Sequence, residues 1–502
     1  MEDLPPPLLL EILSRLGDSE DLARCRVASK TLNSIARDIR SINLQCSYDR
    51  YTKSRSPHTR SSITPFKEIF IKLISNLEIV ESVSMGVEKP LRYGAYDDTE
   101  DEESDLYLSD ETFSMEWLPK VCRELKSISI SDFWVQSCWR RSDVLSVISS
   151  HSDFVFYVNI PSSLNLSDLD VKNAWLSVDG LNPMPNLTSL TLEFIRLDDE
   201  DLNKINESFP SLQDLNLIGV GGLREPRIHL MHLKTCQCIV SNAPNSLAII
   251  APNLVKLKLV CVKPKLLLIE TPLLSDLHLS IETAGNFKVK NLHDLRKLHL
   301  ESAGLRNLLG TFPFGKTVRN LTVVSTRWEV PVGISKSTFE LLLNVFPNVS
   351  SLTLTPGAWS EFETYPGLGG LESRHQMKEL KIITAYLTVN DIEMTISTVF
   401  SILENCPKLS DMALLIHRDV VSNVTNNLIS RCMAHCSRIR WKWGLWKEET
   451  KDAWITDGEP FDSRKRERLS HAFLKRYTTW LKVVDHCVNV SFSQRLDAED
   501  WN

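Results

Sequence analysis

The sequence lacks most of the marks that assign a chain to a membrane, a secretory route or a known chemistry. No apolar run approaches the ~18 residues of a membrane span. The start, Met1-Glu2-Asp3, is acidic where a secretory leader needs positive charge. Eleven cysteines, an odd number, are scattered singly, which excludes a disulfide framework as the organising device. Cys236 and Cys238 fall at apolar positions, where a free thiol behaves as a small hydrophobe. The Asn186, Asn320 and Asn348 sequons lie inside expected strands and are incidental. These absences predict a soluble protein of a reducing compartment, cytoplasmic and/or nuclear, with no membrane partner.

Charge and motif content exclude further classes. The net charge of −7 is lodged in Asp97 to Glu111, with nine acids and no base, and the remaining 55 acids nearly balance 57 bases. No global field therefore points to nucleic acid as a partner. No H-E-x-x-H, G-x-S-x-G or dinucleotide fingerprint occurs. Gly310 to Thr317 matches G-x-x-x-x-G-K-[ST], which leaves an NTPase as the enzyme alternative. A phosphate loop must open a helix, yet Val318 to Val323 is strand-like, and Pro313 removes a backbone donor from the cradle. Cys432, His435 and Cys436 have no second ligand pair at matching distance, so no metal site is expected there. The expectation is no catalysis, no metal and no cofactor.

What is present is a repeat. Pro252-Asn253-Leu254-Val255-Lys256-Leu257-Lys258-Leu259 reads P-x-L-x-x-L-x-L, and the frame returns along the chain. Its first apolar residues are 187, 212, 233, 254, 274, 295, 318, 349, 377 and 409, with steps of 20 to 32 residues. Weaker copies fit Val80/Val83/Met85, Leu125/Ile128/Ile130, Val171/Ala174/Leu176 and Ile439 to Lys442. This is the leucine-rich-repeat signature. Each unit contributes one short strand that cannot bury its apolar side alone, and stacking makes the core continuous. Long steps leave room for an outer helix, whereas steps near 21 predict only a turn or short 3₁₀ segment. The predicted fold is α/β: a leucine-rich-repeat solenoid, a horseshoe with a parallel concave sheet, preceded by a small three-helix domain.

The first segment has a different period. Leu8, Ile12 and Leu16 recur at four, with Leu9 and Leu13 beside them, after Pro5-Pro6-Pro7. Gly17-Asp18-Ser19 interrupts; Glu20 to Cys25 suits a second helix, and Ser29 precedes a third carrying Leu32, Ile35 and Ala36. Leu4-Pro5, Leu8, Glu11 to Leu16, Asp21-Leu22 and Val27 to Lys30 together resemble the F-box pattern in content and order. The whole resembles plant F-box/leucine-rich-repeat proteins. One departure is Leu32, which stands where that pattern carries tryptophan.

The resemblance implies a substrate-recognition subunit of a Skp-cullin-F-box ubiquitin ligase. The head would hold a Skp-family adaptor, and through it a cullin, by Leu4, Pro5, Leu8, Ile12, Leu13, Leu16, Leu22, Val27 and Lys30. The repeats would hold a target protein whose identity, and whose need for a small molecule, the sequence does not name. The alternative is a non-degradative repeat scaffold in which the N-terminal helices only cap the solenoid. Alternation at period two assigns Lys256, Lys258, Asp276, His278, Lys297, His299 and Glu301 to one outward surface, the candidate target site.

The expected organisation is a head over 1–45; a linker, first repeat elements and the acidic insertion over 46–120; the solenoid over 121–440; and a C-terminal cap over 441–502. Gln45 to Thr64 reads as a polar linker. Glu88 to Glu111 reads as a charged loop that packs against nothing. Six of the twelve tryptophans fall in the last segment, and Arg464 to Val484 has helical spacing.

Overall fold

The computed structural model describes residues 4–53, 64–88, 105–133, 141–150, 165–240, 243–281, 286–290, 292–312, 315–325, 338–363, 377–447 and 453–454. The Trp134 to Trp139 stretch and the expected helix over Arg464 to Val484 lie outside them. Two compact units emerge, Met1–Ser241 with Ile250–Pro252, and Asn242–Ile249 with Asn253–Asn502.

The first unit opens with three helices, α1 (Pro6–Ser14), α2 (Ser19–Ala28) and α3 (Lys30–Ile35). Pro6 occupies the first turn of α1, where a missing N–H costs nothing. The Asp18 carboxylate accepts the Glu20 N–H at 2.8 Å, and Ser29 caps α3. Leu13, Leu22, Ala36 and Ile39 form a small core, with Leu10, Leu16, Cys25, Leu32 and Ile35 packed around it. Leu32 thus fills core space.

Parallel strands follow in chain order: Ser41–Ser47, Ser82–Glu88, Ser127–Ser131, Asp168–Lys172, Ser189–Glu193, Asp214–Val220 and Thr235–Val240. Their register stacks the frame residues in rows. Ile42, Val83, Ile128, Leu169, Leu190, Leu215 and Cys236 make one buried row. Met85, Ile130, Val171, Leu192, Leu217 and Cys238 make the next. Burying each Leu or Ile is worth about 1.5–3 kcal/mol, so the rows hold the strands in register.

Three sequence expectations are corrected here. The stretch read as linker from Gln45 instead continues the strand Ser41–Ser47 and then a helix, Tyr48–Lys53. Ile39, Ile42 and Leu44 already carry the repeat frame, so the sheet begins before residue 45. The fourth strand uses Leu166, Leu169 and Val171 rather than Val171, Ala174 and Leu176. Both triplets are apolar, and only pairing with Ile128 and Leu190 selects between them.

The end of the acidic insertion is also not a free loop. Asp105 accepts the backbone N–H groups of Phe66 and Lys67 at 2.7 and 3.0 Å, capping the helix Phe66–Ile74. Leu106, Tyr107 and Leu108 are buried, and Glu111 begins a helix running to Val121. Asp132, itself fully buried, accepts the N–H groups of Leu108 (2.6 Å) and Ser109 (2.9 Å) and the Ser109 hydroxyl. Burial pushes its carboxyl up to about 7, against the pull of those hydrogen bonds.

In the second unit the parallel strands are Lys256–Cys261, Asp276–Ile281, Lys297–Ser302, Asn320–Ser325, Ser351–Leu354, Ile382–Leu387, Asp411–His417 and Arg440–Trp446. One row runs Leu257, Leu277, Leu298, Leu321, Leu352, Ile383, Met412 and Trp441. The copy expected at Met377/Leu380/Ile382 is therefore Leu380/Ile383/Ala385, and Ile382 faces out at 44% exposure. At the last parallel strand the row residues become Trp441 and Trp443, stacked at 5.7 Å, and Ala453–Trp454 closes antiparallel.

The short repeats hold a further surprise. Ser246–Ile250, Leu266–Glu270 and Asn286–Lys290 form a second sheet in place of the expected turns. A strand rises ~3.3 Å per residue and a helix 1.5 Å, so five extended residues span what a helix needs about eleven to cover. Longer steps carry helices as expected, including Ile392–Asn405 and Ser422–His435. Among the described residues no helix is long and apolar enough to cross a membrane.

Candidate protein-interaction surfaces

On the head, the nine residues expected to hold an adaptor divide in two. Leu13 and Leu22 are core residues at 3% and 6% exposure, and Leu16 packs against them. Leu13 and Leu22 support the head from within and are removed from the contact set, because a side chain already sealed in one core cannot enter another, whereas Leu16 is only partly buried. Leu4, Pro5, Leu8, Ile12, Val27 and Lys30 are exposed. Leu8, Ile12 and Val27 reach 52%, 43% and 90% exposure. Spacing by four places Leu8 and Ile12 on one side of α1, next to the buried Leu9 and Leu13 side.

The head is tied to the first repeat strand. Asn43 donates its backbone N–H to the Ser19 hydroxyl at 3.1 Å and its side-chain amide to the Gly17 carbonyl at 2.5 Å. Arg50 pairs with Asp18 at 3.3 Å. Ile39 serves both the head core and the frame of that strand.

On the second unit, all seven residues expected on the target surface face outward from three adjacent strands. Lys256, Asp276 and Lys297 stand in one row, and Lys258, His278 and His299 in the next. Glu301 follows two places beyond His299. Lys256 and Lys297 are exposed, and the other five are half-buried. Consecutive strands lie ~4.8 Å apart, so the rows make one continuous polar surface. The His278 and His299 rings stack with centroids 3.9 Å apart, and His278 Nε2 lies 3.8 Å from Glu301. Burial, then the neighbouring His278, brings the His299 imidazole down to about 4. The contact with His278 holds Glu301 below the usual carboxylate range.

Two motifs set aside in the sequence take structural places. The residues after Thr317 enter the strand Asn320–Ser325, so no helix opens at the phosphate-loop match. A Cβ on Gly315 would overlap the Val345 carbonyl, so that glycine serves close packing. Cys432 is buried within Ser422–His435, and His435 stacks on Phe400 at 3.7 Å. Burial pushes the Cys238 and Cys432 thiols up to about 12, as befits small hydrophobes.

A helical head with exposed large apolar residues, followed by parallel leucine-rich strands with a polar outward face, defines a leucine-rich-repeat protein with a helical N-terminal domain. A family model described as F-box-like matches residues 1–42. An F-box/LRR-repeat protein of Arabidopsis thaliana is 49% identical over 460 residues, covering 91% of this chain and 100% of that protein. The chain belongs to the F-box/LRR-repeat family.

Proposed function

We propose that the chain is the substrate-recognition subunit of a Skp-cullin-F-box ubiquitin ligase, acting in the cytoplasm and/or nucleus. The head holds a Skp-family adaptor, the adaptor holds a cullin, and the repeat face holds the target. The chain forms and breaks no bond; it raises the effective concentration of a target at the ligase. The observation that carries this reading is the exposure of large apolar residues on the head, Leu4, Leu8, Ile12 and Val27. A head that merely capped a solenoid would turn its large apolar residues inward and its polar ones to water, which opposes the scaffold alternative.

The test is co-purification of the full chain with adaptor and cullin. Leu8→Asp with Ile12→Asp removes two apolar contacts worth about 1.5–3 kcal/mol each. Adaptor affinity should fall by roughly 10²- to 10⁴-fold at one decade per ~1.4 kcal/mol. Retention of adaptor and cullin by a folded double variant refutes the proposal.

A further inference from the structure

We infer that His278, His299 and Glu301 form a binding site for a divalent first-row transition-metal ion such as Zn²⁺. Leu277-His278-Leu279 and Leu298-His299-Leu300 are the same triplet at the same point of consecutive frames. Parallel pairing sets the two imidazoles side by side on the outward face, and Glu301, in the same strand two residues on, points the same way. One ligand atom from each residue lies within 4.8 Å of the others. In a tetrahedral shell with ~2.0–2.2 Å bonds, ligand atoms sit roughly 3.3 Å apart. The ladder sets the three Cα positions, so the remaining gap has to close by side-chain rotation.

The chemistry of the donors fits. Two imidazole nitrogens and one carboxylate are the ligand set of open zinc centres, which leave a fourth position free. A metal-binding histidine presents a neutral imidazole nitrogen, and both rings lie half-buried on the outward face. His278 Nε2 is shielded from solvent and has no hydrogen-bond partner, a cost that coordination would remove. Lys258, on the same row, opposes a dication and sets an upper bound on affinity. The free position faces outward, where water or a His, Cys or carboxylate of a bound segment completes the shell. That last use rests on the target role proposed for this face; metal binding itself does not.

The experiment is Zn²⁺ titration of the purified full chain after chelator treatment, read by calorimetry and by metal content after desalting. Co²⁺ absorption reports the coordination geometry. The expected result is one ion per chain at this site, with tetrahedral Co²⁺ bands. His299→Asn and Glu301→Gln should each weaken binding by on the order of a hundredfold or more, since losing even an outer support of a metal ligand costs ~10–100-fold. Zn²⁺ should also protect His278 and His299 of the unaltered chain from imidazole acylation, read by peptide mass. That readout stands if a variant fails to fold. Binding that persists unchanged in both variants, or no protection of the two histidines at saturating Zn²⁺, overturns the inference. Adaptor co-purification is indifferent to this titration, so failure of one leaves the other standing.

Discussion

The outward faces of the head and of the second unit's sheet are built by opposite rules. On α1 the exposed residues include the large apolar Leu8 and Ile12 beside Glu11 and Ser14, while on the three strands from Lys256 to Ser302 the outward residues include the charged Lys256, Lys258, Asp276, Lys297 and Glu301. Both faces sit over cores sealed by the same residue type: Leu13 and Leu22 in the head, Leu257, Leu277 and Leu298 in the repeats. The difference teaches that apolar spacing alone does not separate a core residue from a docking residue. In the sheet, period two makes the division automatic, because one side is always interior. In a short helical head nearly every apolar residue satisfies some helical face, and only the packed structure decides which are spent inside.

That contrast can be broken by substitution. The largest expected effect is Leu13→Asp, which buries a charge and should unfold the head, abolishing adaptor capture with a loss of helical circular dichroism. Leu8→Asp should weaken capture by roughly 10- to 100-fold with the spectrum unchanged; if the two behave alike, the division of the head is wrong. Next comes the repeat core, where Leu298→Ala should cost about 2–5 kcal/mol in denaturant unfolding of the full chain. Its neighbour Lys297→Ala should stay within about 0.5 kcal/mol. Smaller again, Asp105→Ala removes a helix cap and should cost ~0.5–2 kcal/mol, whereas an unpacked loop would register nothing. The effect of Asp132 is read as a slope. Asp132 has a folded value of about 7, above the ordinary ~3.9 of the unfolded chain. Between those values the folded state binds the extra proton, so this group's contribution is present at low pH and is lost as pH rises towards 7. Asp132→Asn should flatten that fall, which reaches at most about 1.4 kcal/mol per pH unit. An unchanged slope would place the titrating group elsewhere.

Much of the repeat region was legible because the frame is redundant. Leu187 to Leu300 stand in rows as their spacing requires. Legibility failed where two apolar triplets overlap, as at Leu166/Leu169/Val171 against Val171/Ala174/Leu176, and at Leu380/Ile383/Ala385 against a frame ending on Ile382. Partner strands settle such ties, and they are remote in sequence. The first strand was missed although Ile39, Ile42 and Leu44 fit the pattern, because Gln45 to Thr64 is so polar that the whole passage reads as linker. The acidic run misled in the same way. Its charge density hides Leu106, Tyr107 and Leu108, and nothing local says that Asp105 meets helix amides nearly forty residues upstream. The outward set on the second unit was readable residue by residue. The pairing of His278 with His299 was visible only as a repeated triplet whose meaning comes from the ladder.

Ile39 belongs to two structures at once, and Asn43 is fastened to Gly17 and Ser19. The head is therefore fastened to the first strand as a bracket is bolted. A tether conveys nearness alone, whereas a bracket also conveys bearing. Whatever grips α1 acquires a fixed line of sight along the strands that begin at Ser41, and adding or removing residues between the two would misalign that line before it loosened any grip.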